Sequence, residues 1–132
     1  MKRAIITSLL FLNSSLVFAK NDVLTIENIV PHSVQLAFPN DKNIVPEVSD
    51  FKVDNIVLMS NEDGERYAVV TFTNMSSGSR TISKDHVMAL LANGERIFPE
   101  TLSHSFKGNE SVSLTVSFGK NKFPILSVYT RS

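Results

Sequence analysis

The stretch SVSLTVSF, residues 111–118, decides the fold. Val112, Leu114, Val116 and Phe118 fall on one side of an extended chain, and Ser111, Ser113, Thr115 and Ser117 fall on the other. A period of two, with β-branched residues and no glycine or proline, marks a strand with one face in a core and one in water. A slip of one residue would exchange the two faces, so the register of this strand is strongly specified.

Working outward, the same alternation recurs and no stretch sustains a helical period. Residues 66–74, RYAVVTFTN, read as a second strand with Ala68, Val70 and Phe72 on its core side. It follows Asn61-Glu62-Asp63-Gly64, where Asp-Gly signals a hairpin turn. Before that turn, Phe51–Ser60 (FKVDNIVLMS) is a strand whose alternation stumbles at Asp54-Asn55, which predicts a bulge. Residues 86–92 and 95–98 flank Asn93-Gly94, the strongest short hairpin signal, because both residues accept positive φ. Residues 23–30 (VLTIENIV) and 33–38 (SVQLAF) read as strands separated by Pro31-His32, and 39–50 as a loop. Residues 122–130 close the domain, with Pro124 confining their first part to an edge or a strand start. About seven strands, punctuated in this way, predict one all-β domain, an antiparallel β-sandwich.

The N-terminus carries an address. Met1-Lys2-Arg3 is a short basic start, Ala4 to Phe18 is uncharged and largely apolar, and Val17-Phe18-Ala19 presents small residues where a signal peptidase reads. That order predicts a secretory signal peptide over 1–19 and a mature domain over 20–132. The run is short for a membrane span, so no membrane insertion is expected after cleavage. The chain of 132 residues has no cysteine, which excludes disulfides, a lipobox anchor, a thiol nucleophile and thiolate metal ligands. Export without cysteine predicts a bacterial protein, periplasmic or secreted. The whole chain has 13 basic and 13 acidic residues; without Lys2 and Arg3 the balance is 11 against 13, or −2. Nucleic-acid binding, which needs a basic surplus, is not expected.

From Arg66 onward the order of features resembles small Ig-like domains of bacterial extracellular proteins, many of them in families of unknown function. The matching pieces are VVTFTN (69–74), SSGSRTISKDHV (76–87), ALLANGERIF (89–98), KGNE (107–110) and SVSLTVSF (111–118). The resemblance covers roughly the last 65 residues and lies in hydrophobic pattern and turns. It implies an Ig-like sandwich and carries no catalytic residues, since such sandwiches host many unrelated roles. Residues 20–50 follow no part of that pattern.

Chemistry is sparse. His32, His86 and His104 match no metal-ligand spacing, and their ordinary reading is surface or turn histidine. No GxSxG or SxxK is present, and Ser103-His104-Ser105 would point its neighbours apart on an extended chain. Glu62, Asp63, Glu65, Glu95 and Glu100 sit at predicted turns or strand ends, where charge is ordinarily just solvated. Calcium-loop spacing is missing too. The sequons at Asn74-Met75-Ser76 and Asn109-Glu110-Ser111 read as turn residues in a bacterium. No enzyme activity, metal or cofactor is therefore expected.

What remains is an exported binding module, monomeric, with a protein partner. Two means are open to it: a free sheet edge, for which 122–130 is the candidate, or loops at one end of the sandwich. The candidate loops are 76–85 (SSGSRTISKD) and 99–110 (PETLSHSFKGNE), which carry Arg80, Lys84, His104 and Phe106. Against this, Pro124 and its lysines can serve to block an edge, and Phe106 can tuck into the core. Two alternatives share the scaffold. One is a subunit of a surface appendage or envelope complex that donates residues 23–30 as a strand; the other is a secreted inhibitor or immunity protein.

Overall fold

The structure, a computed structural model, describes residues 23–28 and 44–132. The expected signal peptide, the strand expected at 33–38, His32 and the first part of the 39–50 loop lie outside the described residues. Among the described residues nine strands follow in order: β1 (Thr25–Glu27), β2 (Phe51–Ser60), β3 (Glu65–Asn74), β4 (Arg80–Ser83), β5 (Met88–Leu91), β6 (Arg96–Ile97), β7 (Ser103–Phe106), β8 (Ser111–Lys120) and β9 (Ile125–Tyr129). They form three antiparallel sheets, ordered β1-β2-β3-β8, β6-β5-β9 and β4-β7. The domain is all-β, as the alternation predicts, and sandwich-like, because one apolar core takes side chains from all three sheets.

The four-stranded sheet follows its sequence closely. Ala68, Val70 and Phe72 of β3 are fully buried, facing Leu58, Ile56 and Val53 of β2 on one side and Val116, Leu114 and Val112 of β8 on the other. Burial of each large side chain contributes about 1.5–3 kcal/mol. The expected bulge is present, since Val53 faces Phe72 while Asn55 faces Thr71, leaving Asp54 extra. On the opposite face, hydroxyls pair across strands: Thr71 with Ser113 at 2.7 Å, and Thr73 with Ser111 at 2.6 Å.

The two predicted hairpins share one device. Gly64 N–H reaches Asn61 O and Asn61 N–H reaches Glu65 O; Gly94 N–H reaches Leu91 O and Leu91 N–H reaches Glu95 O. Only the glycine has positive φ, +79° at Gly64 and +87° at Gly94. These are three-residue turns closed by a glycine bulge, so Asn93 does not take the positive φ expected of it.

Other expectations are corrected. Of the stretch expected at 23–30, residues 29–30 lie outside the described residues, and within 23–28 the strand is Thr25–Glu27; it is pinned to β2 and β3 by Glu27, whose carboxylate accepts from Ser60 Oγ at 2.7 Å and from Arg66 at 2.9 Å. The strand expected at 86–92 starts only at Met88, because Lys84–His86 form a 3-10 turn. His86 Nδ1 accepts the Ser83 backbone N–H at 3.0 Å and so closes that turn. Strand β5 is buried on both faces. Ala89 and Leu91 belong to the core; on the far side Arg96, opposite Leu90, lies 5.4 Å from the ring of Tyr129, which is opposite Met88.

Candidate functional site

The two segments read as loops are not independent loops. Each contains a four-residue strand, and these pair with one another: Arg80 faces Phe106, Thr81 faces Ser105, Ile82 faces His104 and Ser83 faces Ser103. The ribbon β4–β7 continues the β3–β8 ladder around a corner. From the pair Thr73/Ser111 to the pair Arg80/Phe106, one chain advances seven residues and the other retreats five, so two extra residues make the bend.

Asn74 holds that corner. It is fully buried, donates from its side-chain amide to Gly78 O at 2.9 Å and Lys107 O at 3.0 Å, and accepts the Ser76 N–H at 3.0 Å. Its own N–H reaches Glu110 O, and Asn109 N–H reaches Ser76 O. Across the bend the chains pass so closely that a Cβ on Gly108 would lie 2.0 Å from Ser77 O. A polar side chain buried here is stable because every group it presents is bonded.

The ribbon is anchored beneath. Ile82 is fully buried, and the Phe106 ring sits edge-on to Phe51 of β2, centroids 5.0 Å apart. Phe106 is therefore a core residue, the second of its two readings, and is not available to a partner. His104, half-buried, packs edge-on to Phe106 at 5.2 Å. Arg80 is exposed; its Nε donates to Asp50 Oδ2 at 3.2 Å, and its guanidinium also donates to Ser79 O at 2.9 Å. At half exposure on both sides that ion pair contributes under about 1 kcal/mol. Lys84 is exposed at the far end of the ribbon. There an open depression of about 450 Å³ is lined by Ser83, Lys84, Asp85, Glu100, Thr101, Leu102 and Ser103. Thus Arg80, Lys84 and His104 stand on or beside one paired ribbon, and Phe106 is its root. Sequence reading missed the pairing because each strand has few inward positions, two of them filled by Arg80 and His104.

Ser83, which lines this depression, approaches the composition of a hydrolytic triad with His86 and Glu47, which do not line it. Ser83 Oγ is 3.4 Å from His86 Nδ1, and His86 Nε2 is 3.9 Å from Glu47 Oε2. Geometry assigns a different role. The single Nδ1 lone pair already accepts the Ser83 N–H, so it has no capacity to take the Ser83 hydroxyl proton. The group is a cap on a turn. Among the described residues no cluster of three or more His, Asp or Glu could hold a metal ion, and no helix is long and apolar enough to cross a membrane.

The edge expected at 122–130 is β9, which pairs with β5 along one side. Just past its end, Arg131 O accepts the Ser49 N–H and Thr130 Oγ1 donates to Phe51 O, so the 49–51 segment meets it there.

The fold and this surface define an all-β antiparallel domain with a core-anchored, hydroxyl-faced ribbon at one end. No protein-family model, no curated protein and no solved structure matches the chain.

Proposed function

We propose that this chain is an exported, non-catalytic protein-binding module of bacterial origin built on an Ig-like sandwich, with the β4–β7 ribbon as its recognition surface. One observation carries the reading: the two separate segments that hold Arg80, Lys84 and His104 join into a single ribbon locked to the core by Ile82 and Phe106. A surface ordered before binding loses little conformational entropy on association, which favours affinity. Thr81, Ser103 and Ser105 give it an outward hydroxyl face, and Arg80 and Lys84 give it positive charge at both ends. Export rests on the basic start, the apolar run and Val17-Phe18-Ala19. The Ig-like assignment rests on the strand and turn order from Arg66 onward. The subunit alternative, in which residues 23–30 are handed to a neighbour, is less favoured, because Glu27 ties β1 into its own sheet.

The test is site-specific photo-cross-linking in the envelope of the producing cell, with the probe at Thr81, at Lys84 and, as a control, at Glu62 on the opposite hairpin. Adducts of one discrete mass from Thr81 and Lys84, and none from Glu62, are expected. Equal adducts from all three positions, or none from the ribbon, would contradict the assignment.

A further inference from the structure

Among the described residues one edge of β8 is unpaired, and its direction can be read from two hydrogen bonds. Asn74 of β3 donates its N–H to Glu110 O, whereas Glu100 donates its N–H to Ser117 O from the opposite side. Backbone groups alternate in direction along a strand in an antiparallel ladder. Residues 112, 114 and 116 therefore bond to β3, and Ser111, Ser113 and Thr115 turn their N–H and C=O groups away from it. Among the described residues, no strand pairs with that side of β8. The open stretch is bounded at both ends, by Glu100 over Ser117 and by the turn at residues 107–110.

Sheet edges are usually short, charged, bulged or blocked by proline. The other edges here obey that rule: β1 has three residues, β6 has two, β9 starts after Pro124, and β4 and β7 carry Arg80 and His104. Among the described edge strands β8 differs: it is ten residues long and has no charge or proline from Ser111 to Gly119. Above it Ser111, Ser113 and Thr115 are exposed hydroxyls; below it Val112 and Leu114 are only partly buried against the core.

We infer that this edge pairs with a second copy of the chain, β8 against β8, about a two-fold axis at Ser113. The stretch is complementary to itself. In that register Ser111 faces Thr115 of the second copy, Val112 faces its Leu114, and Ser113 faces its Ser113. An axis perpendicular to the sheet keeps hydroxyls with hydroxyls on one face and apolar residues with apolar residues on the other. No like charges meet across the paired residues. Each of the three outward residues in each copy donates one bond and accepts one, which makes six in all and a continuous eight-stranded sheet. The inference goes beyond the ribbon's role and does not depend on it.

The experiment uses the absence of cysteine. Residues facing one another as a hydrogen-bonded antiparallel pair have Cα atoms about 5.5 Å apart, within disulfide reach. Ser113→Cys is expected to oxidise to a covalent dimer; Ser111→Cys or Thr115→Cys alone is not, but the two mixed together are expected to give a heterodimer. Sedimentation of the unsubstituted chain is expected to show reversible dimers above about 10 μM, the weak class to which a single strand pair belongs. Ser113→Lys is expected to weaken dimerisation at least about tenfold by placing like charges across the axis. A monomer at every concentration up to about 1 mM, or disulfide dimers formed equally by all three cysteine variants, would overturn the inference.

Discussion

β3–β8 and β4–β7 are consecutive stretches of one ladder, and they differ in what holds them. In the first, ten-residue strands turn every second side chain toward the core along most of their length, so pairing and core packing reinforce each other. In the second, four-residue strands place only Ile82 and Phe106 deep in the core, and a buried asparagine and a glycine fix the bend that leads into them. A long strand is specified by repetition, a short one by a few irreplaceable contacts. The ribbon should therefore be as firmly held as the sheet while depending on fewer residues.

The largest expected effects test that equality. Phe72→Ala in the sheet and Phe106→Ala in the ribbon should each cost about 3–5 kcal/mol in urea unfolding, the usual cost of emptying a buried phenylalanine site. A cost below about 1 kcal/mol for Phe106→Ala alone would show that the ribbon is merely draped over the core. Gly108→Ala comes next. Its new methyl would meet the Ser77 backbone, so a loss of about 3 kcal/mol is expected, with the midpoint of unfolding lowered and its slope unchanged.

Asn74→Ala sharpens the same point at smaller scale. It strips the partners from Gly78 O, Lys107 O and Ser76 N–H, and a loss of about 2 kcal/mol should result, measurable by thermal unfolding. Arg80→Ala lies at the bottom of the range. Its ion pair with Asp50 is half exposed, so stability should change by less than about 0.5 kcal/mol while cross-linking from Thr81 falls. A large loss of stability there would mean that Arg80 belongs to the corner and not to the recognition face.

These differences also explain what could be read in advance. Alternation over eight or more residues made β2, β3 and β8 legible, including the inward Ala68, Val70 and Phe72 and the bulge at Asp54. Turn chemistry placed both glycine hairpins. In β4 and β7, by contrast, RTIS and SHSF are too short and too polar for period two to stand out, although the sequence did name Arg80 and His104 within them and Lys84 just after β4. Nothing local signals that Ser83 faces Ser103, because twenty residues separate them and the contact is made through a corner. The 3-10 turn at Lys84–His86 was hidden for a similar reason, since a histidine side chain supplies its closing bond.

The central claim is that β4 and β7 form one rigid ribbon continuous with the main sheet. Residue-resolved amide hydrogen exchange tests it most directly, comparing the paired amides of Arg80–Ser83 and Ser103–Phe106 with those of Glu65–Asn74. Protection in the ribbon that rises and falls with global stability, as in β3, is the predicted result. Exchange at unprotected rates through both ribbon strands, with β3 still protected, would contradict it.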